Sequence, residues 1–270
     1  MFTKRFRFVA VLCAAFLPAA ASCARNNRAV DTSIEYEVIN KSITITKYIG
    51  KGTDVNIPAS IEGLPVTVIR DDAFYNCDSL TNINVAAGNS AYSSIDGVLF
   101  DKSGQTLICY PPGRSGVYTV PSSVSTVKHS AFWNCRNLIG VTVPSSVFII
   151  GDYAFFDCCS LISINTSSSL TIKDSAFQGC NSLTDIDVDM DNSTYSSVDG
   201  ILFDKSGQTL ICYPAGKNGA YTVPSSVITI GDRAFSECGN LTSVTVPSSV
   251  FIIKDSEFDE KVRIQYVDND

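Results

Sequence analysis

VTVPSSVFIIGDYAFFDCCSL, residues Val141 to Leu161, reads as one coil of a repeat, and each of its positions has a physical job. Val141 and Val143 alternate inward along a short strand, and Pro144 ends that strand because proline has no amide to donate to a ladder. Val147 and Ile150 form the next inward pair, and Gly151-Asp152 turns the chain. Asp152 stands where a side chain would cap the first amides of a short helical turn carrying Ala154, Phe155 and Cys158. Phe155 fills the core, Ala154 keeps the turn tight, and Leu161 leads into the next strand.

Outward from this coil the chain copies itself. Ala-Phe recurs at Ala73-Phe74, Ala131-Phe132, Ala154-Phe155, Ala176-Phe177 and Ala234-Phe235, each followed by a cysteine three residues after the Phe: Cys77, Cys135, Cys158, Cys180 and Cys238. Neighbouring copies lie 23 or 22 residues apart except for two gaps of 58, so a coil of about 23 residues carries an insertion in two places. A unit that short cannot bury its apolar face alone and must stack, which predicts a solenoid with a long regular surface, suited to binding more than to catalysis. The Asp column recurs as Asp71, Asp174, Asp232 and Asp255, with His129 as its variant in the remaining coil.

A longer period encloses the coil. YSSIDGVLFDKSGQTLICYPPG (Tyr92 to Gly113) returns as YSSVDGILFDKSGQTLICYPAG (Tyr195 to Gly216), offset by 103 residues with three differences. The offset also carries Phe74 to Phe177, Phe132 to Phe235 and Phe155 to Phe258, so a block of several coils was duplicated whole. Each inserted segment predicts a hairpin, turning at Lys102-Ser103-Gly104 and at Lys205-Ser206-Gly207.

Ten cysteines in an exported chain would ordinarily predict a disulfide framework. Here five share one repeat column, and Cys109 and Cys212 are duplicates, so their spacing follows the coil and favours packed thiols. The adjacent Cys158-Cys159 pair is expected to split into one inward and one outward side chain.

Residues 1–22 read as an export leader: Lys4, Arg5 and Arg7 are basic, Phe8 to Leu17 is apolar, and small residues follow. Ala20-Ala21-Ser22-Cys23 resembles a lipobox, which would make Cys23 a lipidated mature N-terminus. Ala20 departs from the larger aliphatic residue usual there, as in the relaxed lipoboxes of spirochaetes, and ordinary cleavage after Ala21 or Ser22 is the alternative. Residues 23–33 would be a linker, and the only membrane association expected is through that N-terminal lipid.

The chain has 27 acidic and 20 basic residues, three of the latter in the leader, and no basic stripe, which argues against a nucleic-acid partner. No nucleophile elbow, P-loop, dinucleotide fingerprint, CxxC pair or zinc motif is present, and His129 is the single histidine. No cofactor, metal or catalytic residue is expected. Glycoside hydrolysis needs only two carboxylates, but nothing here supports it.

Two surface features stand out. Strand alternation across Asp185-Ile186-Asp187-Val188-Asp189-Met190-Asp191 would set four carboxylates, Asp185, Asp187, Asp189 and Asp191, on one face. That face could attract a basic partner or calcium, although the run fails as an EF-hand loop, with Met190 at position six and Ser196 at position twelve; a solvated face is the alternative. The second feature is apolar. The two middle positions of the V-x-x-I strand should face outward; they are Ser125-Thr126 and Ile228-Thr229 in two coils but Phe148-Ile149 and Phe251-Ile252 in two others. Large apolar side chains there mark a contact surface unless the chain's own hairpins or termini cover them.

The run from VPSSV through IGDYAF to a cysteine and a leucine resembles the BspA-type, or treponemal, leucine-rich repeat. Tyr36 to Phe74 is similar to the hairpin that opens such domains, and the GVLFDKSGQTLICYP insertion resembles one found in the family. The resemblance covers Ile34 to about Phe258; Thr166 to Leu170 is one residue short, and Glu257-Phe258 has lost the Ala. It implies an α/β but β-rich right-handed superhelix, a horseshoe or arc, over residues 34–270, with a hairpin cap at 34–66 and blocks at 74–176 and 177–258. It further implies a non-enzymatic interaction protein of the bacterial envelope, either an adhesin for host matrix or envelope proteins or a structural protein that self-assembles into homo-oligomers.

Overall fold

The structure, a computed structural model, describes residues 33–166, 170–173, 175–254, 258 and 261–267. An antiparallel hairpin comes first, β1 (Ile34–Ile39) with β2 (Ser42–Tyr48). Next are β3 (Asp54–Ile57), β4 (Ser60–Ile61) and β5 (Leu64–Ile69), with β5 parallel to β2 and antiparallel to β4. Strand β6 (Asn82–Val85) lies parallel to β3. The first inserted segment is an antiparallel meander of β7 (Tyr92–Ile95), β8 (Val98–Asp101) and β9 (Thr106–Cys109). Coils then follow with two strands each: β10 (Gly116–Thr119) and β11 (Thr126–Val127), β12 (Leu138–Val143) and β13 (Ile149–Ile150), β14 (Ser163–Thr166) and β15 (Thr171–Ile172), ending on β16 (Asp185–Val188). The second block repeats the order with the meander β17 (Tyr195–Val198), β18 (Ile201–Asp204) and β19 (Thr209–Cys212). After it come β20 (Gly219–Thr222), β21 (Thr229–Ile230), β22 (Leu241–Pro247), β23 (Ile252–Ile253) and β24 (Arg263–Val267).

Stacking these coils produces two parallel ladders. The first runs β10-β12-β14-β16 and, after the second meander, β20-β22-β24; the second runs β9-β11-β13-β15 and β19-β21-β23. Each meander extends the second ladder by two antiparallel strands. Where β15 meets β17 the strands do not pair, and the Tyr195 hydroxyl fills the gap, accepting the Ile172 amide at 3.2 Å. Tyr92 does the same for the Ile69 amide at 2.9 Å.

The core lies between the ladders. Val141, Val143, Val147, Ile150 and Leu161 are all buried, as their spacing requires. The central rings stack coil on coil: Tyr110, Phe132, Phe155 and Phe177 at 5.1, 4.7 and 5.7 Å, then Tyr213, Phe235 and Phe258 at 5.3 and 4.9 Å. Tyr110 and Tyr213 therefore take the place of the core phenylalanine in the coils that carry a meander.

The expected helical turn is not there: no helix occurs among the described residues, so the β-rich part of the α/β expectation stands and the helical part does not. Hydrogen bonding between coils supplies the reason. The Phe132 amide donates to the Ala154 carbonyl at 2.7 Å and the Phe155 amide to the Ala176 carbonyl at 2.8 Å, where a helix would need those amides within its own turn. Two left-handed residues per turn complete the break, Ser130 and Asn134, Tyr153 and Asp157, or Ser175 and Gly179, at φ between 54° and 80°. The Asp column does not cap a helix either. Asp71 reaches sideways to Lys128, in the coil beyond the meander, at 2.5 Å, and Asp232 to Lys254 of the following coil at 3.8 Å, in exposed pairs of small energetic weight. Asp174 and Asp255 lie outside the described residues, and His129 is exposed with its Nε2 3.0 Å from Ser130 Oγ.

All eight described cysteines are free. In the repeat column the thiols face inward and donate to a core carbonyl of the preceding coil: Cys158 to Phe132 at 3.0 Å, Cys180 to Phe155 at 3.1 Å, Cys238 to Tyr213 at 3.5 Å. Burial pushes the Cys109 and Cys212 thiols up to about 12 and those of Cys135 and Cys180 well above the usual range, which keeps them out of thiolate chemistry. Cys158 is buried and Cys159 only partly so, as their adjacency predicted.

The meander turns at Asp101–Gly104 and Asp204–Gly207, where the glycine amides donate to Asp101 and Asp204 carbonyls at 3.0 and 2.9 Å. It also turns earlier, at Asp96-Gly97 and Asp199-Gly200, with both residues of each pair at positive φ. That geometry is a type I′ turn, for which Asp-Gly is a favoured sequence signal, and the hairpin expectation had missed it.

Candidate interaction surface

Phe148 and Ile149 stand on the outer face of the second ladder because Val147 and Ile150 on either side point into the core. Phe148 is 54% exposed and Ile149 39%; at the equivalent place Phe251 is 81% and Ile252 50% exposed. Neither the hairpins nor the described termini cover them. Ile149 sits in register between Thr126 and Thr171, and Ile252 beside Thr229, so the isoleucines are bordered by short polar side chains, while Phe251 lies next to Ile228, itself 37% exposed. The Phe148 amide donates to Ser125 at 2.9 Å and the Phe251 amide to Ile228 at 3.0 Å, which fixes the backbone beneath the rings.

The distance between the two pairs follows from strand order. From β13 the stack passes β15, β17, β18, β19 and β21 to reach β23, six steps. Five of these steps are paired strands about 4.8 Å apart and the sixth is the unpaired step from β15 to β17, so the path along the ladder between the two pairs exceeds about 24 Å.

The carboxylates are not brought together in this way. Asp185 and Asp187 lie in β16, but the strand ends at Val188 and Asp189 begins a turn, its Oδ1 accepting the Asp191 amide at 2.9 Å. Asp185 Oδ2 is held by Thr184 Oγ1 at 2.6 Å. The expected single face of four carboxylates is thus split between strand and turn. Among the described residues no group of three or more His, Cys, Asp or Glu side chains could hold a metal ion. Cys23 lies outside the described residues.

Two features escaped the reading of the sequence. On the turn side, the residues after Phe74, Phe132 and Phe155 stack as Tyr75, Trp133 and Phe156, with centroids 4.8 and 4.1 Å apart and planes within 7° and 13°. Aromatic residues recurring directly after Ala-Phe were the available signal. On the side of the first ladder a shallow open groove of about 850 Å³ is lined by Asn137, Ile139, Ser160, Ile162 and Thr184 among others. No titratable side chain lines it, so it offers neither an acid nor a base.

The family described as BspA type Leucine rich repeat region matches the chain in six copies, over residues 33–111, 117–209 and 212–269. No curated protein matches significantly. Among solved structures, a leucine-rich cell surface protein from Faecalibacterium prausnitzii is similar at 23% identity, covering 89% of this chain and 76% of that one, with a TM-score of 0.48. The pneumococcal vaccine antigen PcpA is similar at 21% identity over 79% of this chain and 45% of its own, with a TM-score of 0.41. A leucine-rich repeat protein from Eubacterium ventriosum matches at 18% identity over 89% of this chain and 72% of that one, with a TM-score of 0.48.

Proposed function

This chain belongs to the BspA-type leucine-rich-repeat family, and from that premise we propose that it is a non-enzymatic, extracytoplasmic module that binds a protein through the outer face of its second ladder. Leucine-rich repeats are typically protein-interaction modules, and a stack of coils suits that role because it presents rows of side chains at fixed spacing on a rigid support. The observation that carries the reading is the exposed Phe-Ile pair, present at Phe148-Ile149 and again at Phe251-Ile252. Coils of the same block place Ser125-Thr126 at those positions, so the repeat itself does not require apolar residues there. Aromatic side chains with polar neighbours form the usual anchor of a protein interface.

Two anchors separated by more than about 24 Å of ladder favour an extended or repetitive partner such as a host matrix or envelope protein, engaged at both sites together. The leader and the Cys23 motif support a module outside the cytoplasm, held by a lipid. Binding of the purified protein to a panel of immobilised matrix proteins and envelope extracts, wild type against Phe148→Ser, Phe251→Ser and the double variant, tests this. Each single variant should lose more than about tenfold in apparent affinity, because loss of one anchor removes the avidity of the pair. Equal binding by the double variant refutes the assignment. Incorporation of labelled fatty acid that persists in Cys23→Ala counts against the anchor.

A further inference from the structure

The first ladder is broken where each meander enters, and the two breaks are filled differently. Strand β16 does not pair with β20; the Asp199-Gly200 turn caps the edge of β16 instead, the Gly200 carbonyl accepting the Ile186 amide at 3.0 Å. In the first block β6 and β10 likewise do not pair, and the Gly97 carbonyl accepts the Ile83 amide at 2.7 Å. Beside that first turn lies an arginine. Arg114 Nη1 donates to the Asp96 carbonyl at 2.7 Å, and its guanidinium carbon is 5.4 Å from the centre of the Tyr110 ring. The offset of 103 residues carries Asp96, Tyr110, Arg114 and Tyr118 to Asp199, Tyr213, Lys217 and Tyr221, so the second block has lysine where the first has arginine. Among the described residues the Lys217 ammonium makes no hydrogen bond or ion pair, and no donor reaches the Asp199 carbonyl. A cleft of about 370 Å³ remains, lined by Asp199, Tyr213, Lys217 and Tyr221 together with Thr184 and Asn218. The Tyr213 and Tyr221 rings lie 4.9 Å apart, tilted by 53°, and form its aromatic wall.

We infer that this cleft receives an arginine side chain of a partner protein. The first block already holds the matching group in the equivalent place, because Arg114 touches the counterparts of the residues that line the cleft. The second block keeps the same recognising groups: a carbonyl fixed in a type I′ turn, a tyrosine ring face, and the Asp199 carboxylate, whose charge adds to burial and the Tyr213 phenol in pushing the Tyr221 phenol up. A guanidinium answers all three. Its N–H groups make charge-assisted hydrogen bonds to the carbonyl, and its planar, weakly hydrated cation packs against the ring. Lysine is a compact, strongly hydrated point charge without the planar fork, so Lys217 leaves open what Arg114 closes. An anionic ligand would find Lys217 but would also face the Asp199 carboxylate and the negative end of its carbonyl dipole, in a chain with 27 acidic and 20 basic residues. The cleft sits at the break in the first ladder, whereas Phe148 and Phe251 stand on the second, so it is a separate contact and does not rest on the role proposed for those rings.

NMR of protein carrying isotope-labelled tyrosine, titrated with N-acetyl-arginine amide, reads the two places separately, with ring signals assigned by single phenylalanine substitutions. Wild type should show saturable shifts at Tyr213 and Tyr221, and N-acetyl-citrulline amide, the neutral isostere, should produce none. Lys217→Arg gives the second cleft a guanidinium of its own and should weaken binding there by more than about tenfold. Arg114→Lys should open the first cleft and add saturable shifts at Tyr110 and Tyr118. Each of these substitutions installs the residue that the other block already carries, and an unchanged melting temperature is the control for folding. Phe148→Ser should leave every shift as it is in wild type. The inference is overturned by a wild type without saturable shifts at Tyr213 and Tyr221, by an equal response to the citrulline amide, by unweakened binding in Lys217→Arg, or by no new site in Arg114→Lys.

Discussion

Cys158→Ala measures what the repeated cysteine contributes. Its Sγ is fully buried and donates to the Phe132 carbonyl at 3.0 Å, a carbonyl that also accepts the Cys135 amide at 3.3 Å. The next coil repeats the arrangement, with Cys180 Sγ and the Cys158 amide both on the Phe155 carbonyl at 3.1 and 3.2 Å. Truncation removes a buried group about the size of a methylene, costing about 1 kcal/mol in transfer. It also removes a neutral hydrogen bond, worth about 1 kcal/mol net. Because the carbonyl keeps its amide partner, the larger penalty for an orphaned group does not arise, and the total is about 2 kcal/mol. Cys159→Ala, one residue on and only partly buried, should stay within about 0.5 kcal/mol. Urea unfolding followed through Trp133, the single tryptophan, gives both values, and the ring reports locally because it is stacked between Tyr75 and Phe156. Reductant should leave the wild-type midpoint where it is. A midpoint that falls on reduction would mean that the column holds disulfides, and a Cys158→Ala cost no greater than that of Cys159→Ala would mean that the thiol neither packs nor bonds as described.

Phe155→Ala should cost about 3–5 kcal/mol, since the ring is fully buried between Phe132 and Phe177, whereas Phe148→Ala, half exposed, should stay within about 0.5 kcal/mol; unfolding midpoints compare the two. Gly200→Ala should destabilise more than Gly207→Ala: both sit near φ +70°, but a Cβ at Gly200 would come 2.7 Å from Asp185 Oδ1 while Gly207 faces open space, and only the first should exceed the strain cost of about 1–2 kcal/mol. Stability should fall in alkali. Burial raises Cys109 and Cys212 from 9.0 to about 12, so the neutral thiols' contribution is whole below pH 9.0 and is lost as pH climbs through about 12; a midpoint constant across that window would contradict the desolvation of these thiols.

Much of the fold is legible in single residues. The inward Val, Ile and Leu positions and the outward Phe-Ile pairs follow from the spacing along strands only a few residues long, and the Phe and Cys columns from the repeat of the turn between them; Ile253, 40% exposed, is the exception. The carboxylate run failed by the same rule. Alternation holds only while the strand lasts, and β16 stops at Val188, before Asp189 and Asp191. The Asp-Gly turns were readable and were passed over in favour of the Lys-Ser-Gly turn that follows them.

By itself the sequence determined the coil, its period, the duplication of the block, and which side of each strand faces the core, because these are set by the geometry of the local backbone. Only the tertiary structure decided what happens between coils. It replaced the helical turn with consecutive tight turns that hold two left-handed residues each, because the Phe132 and Phe155 amides bond to alanine carbonyls of the following coil, Ala154 and Ala176, partners that no local pattern reveals. It stacked Tyr75, Trp133 and Phe156 across an insertion, and it left Tyr266 and Ile253 exposed although their register partners Val246 and Ile230 are buried. Burial at an end of the stack depends on what lies beyond the coil, and that is a property of the assembled solenoid.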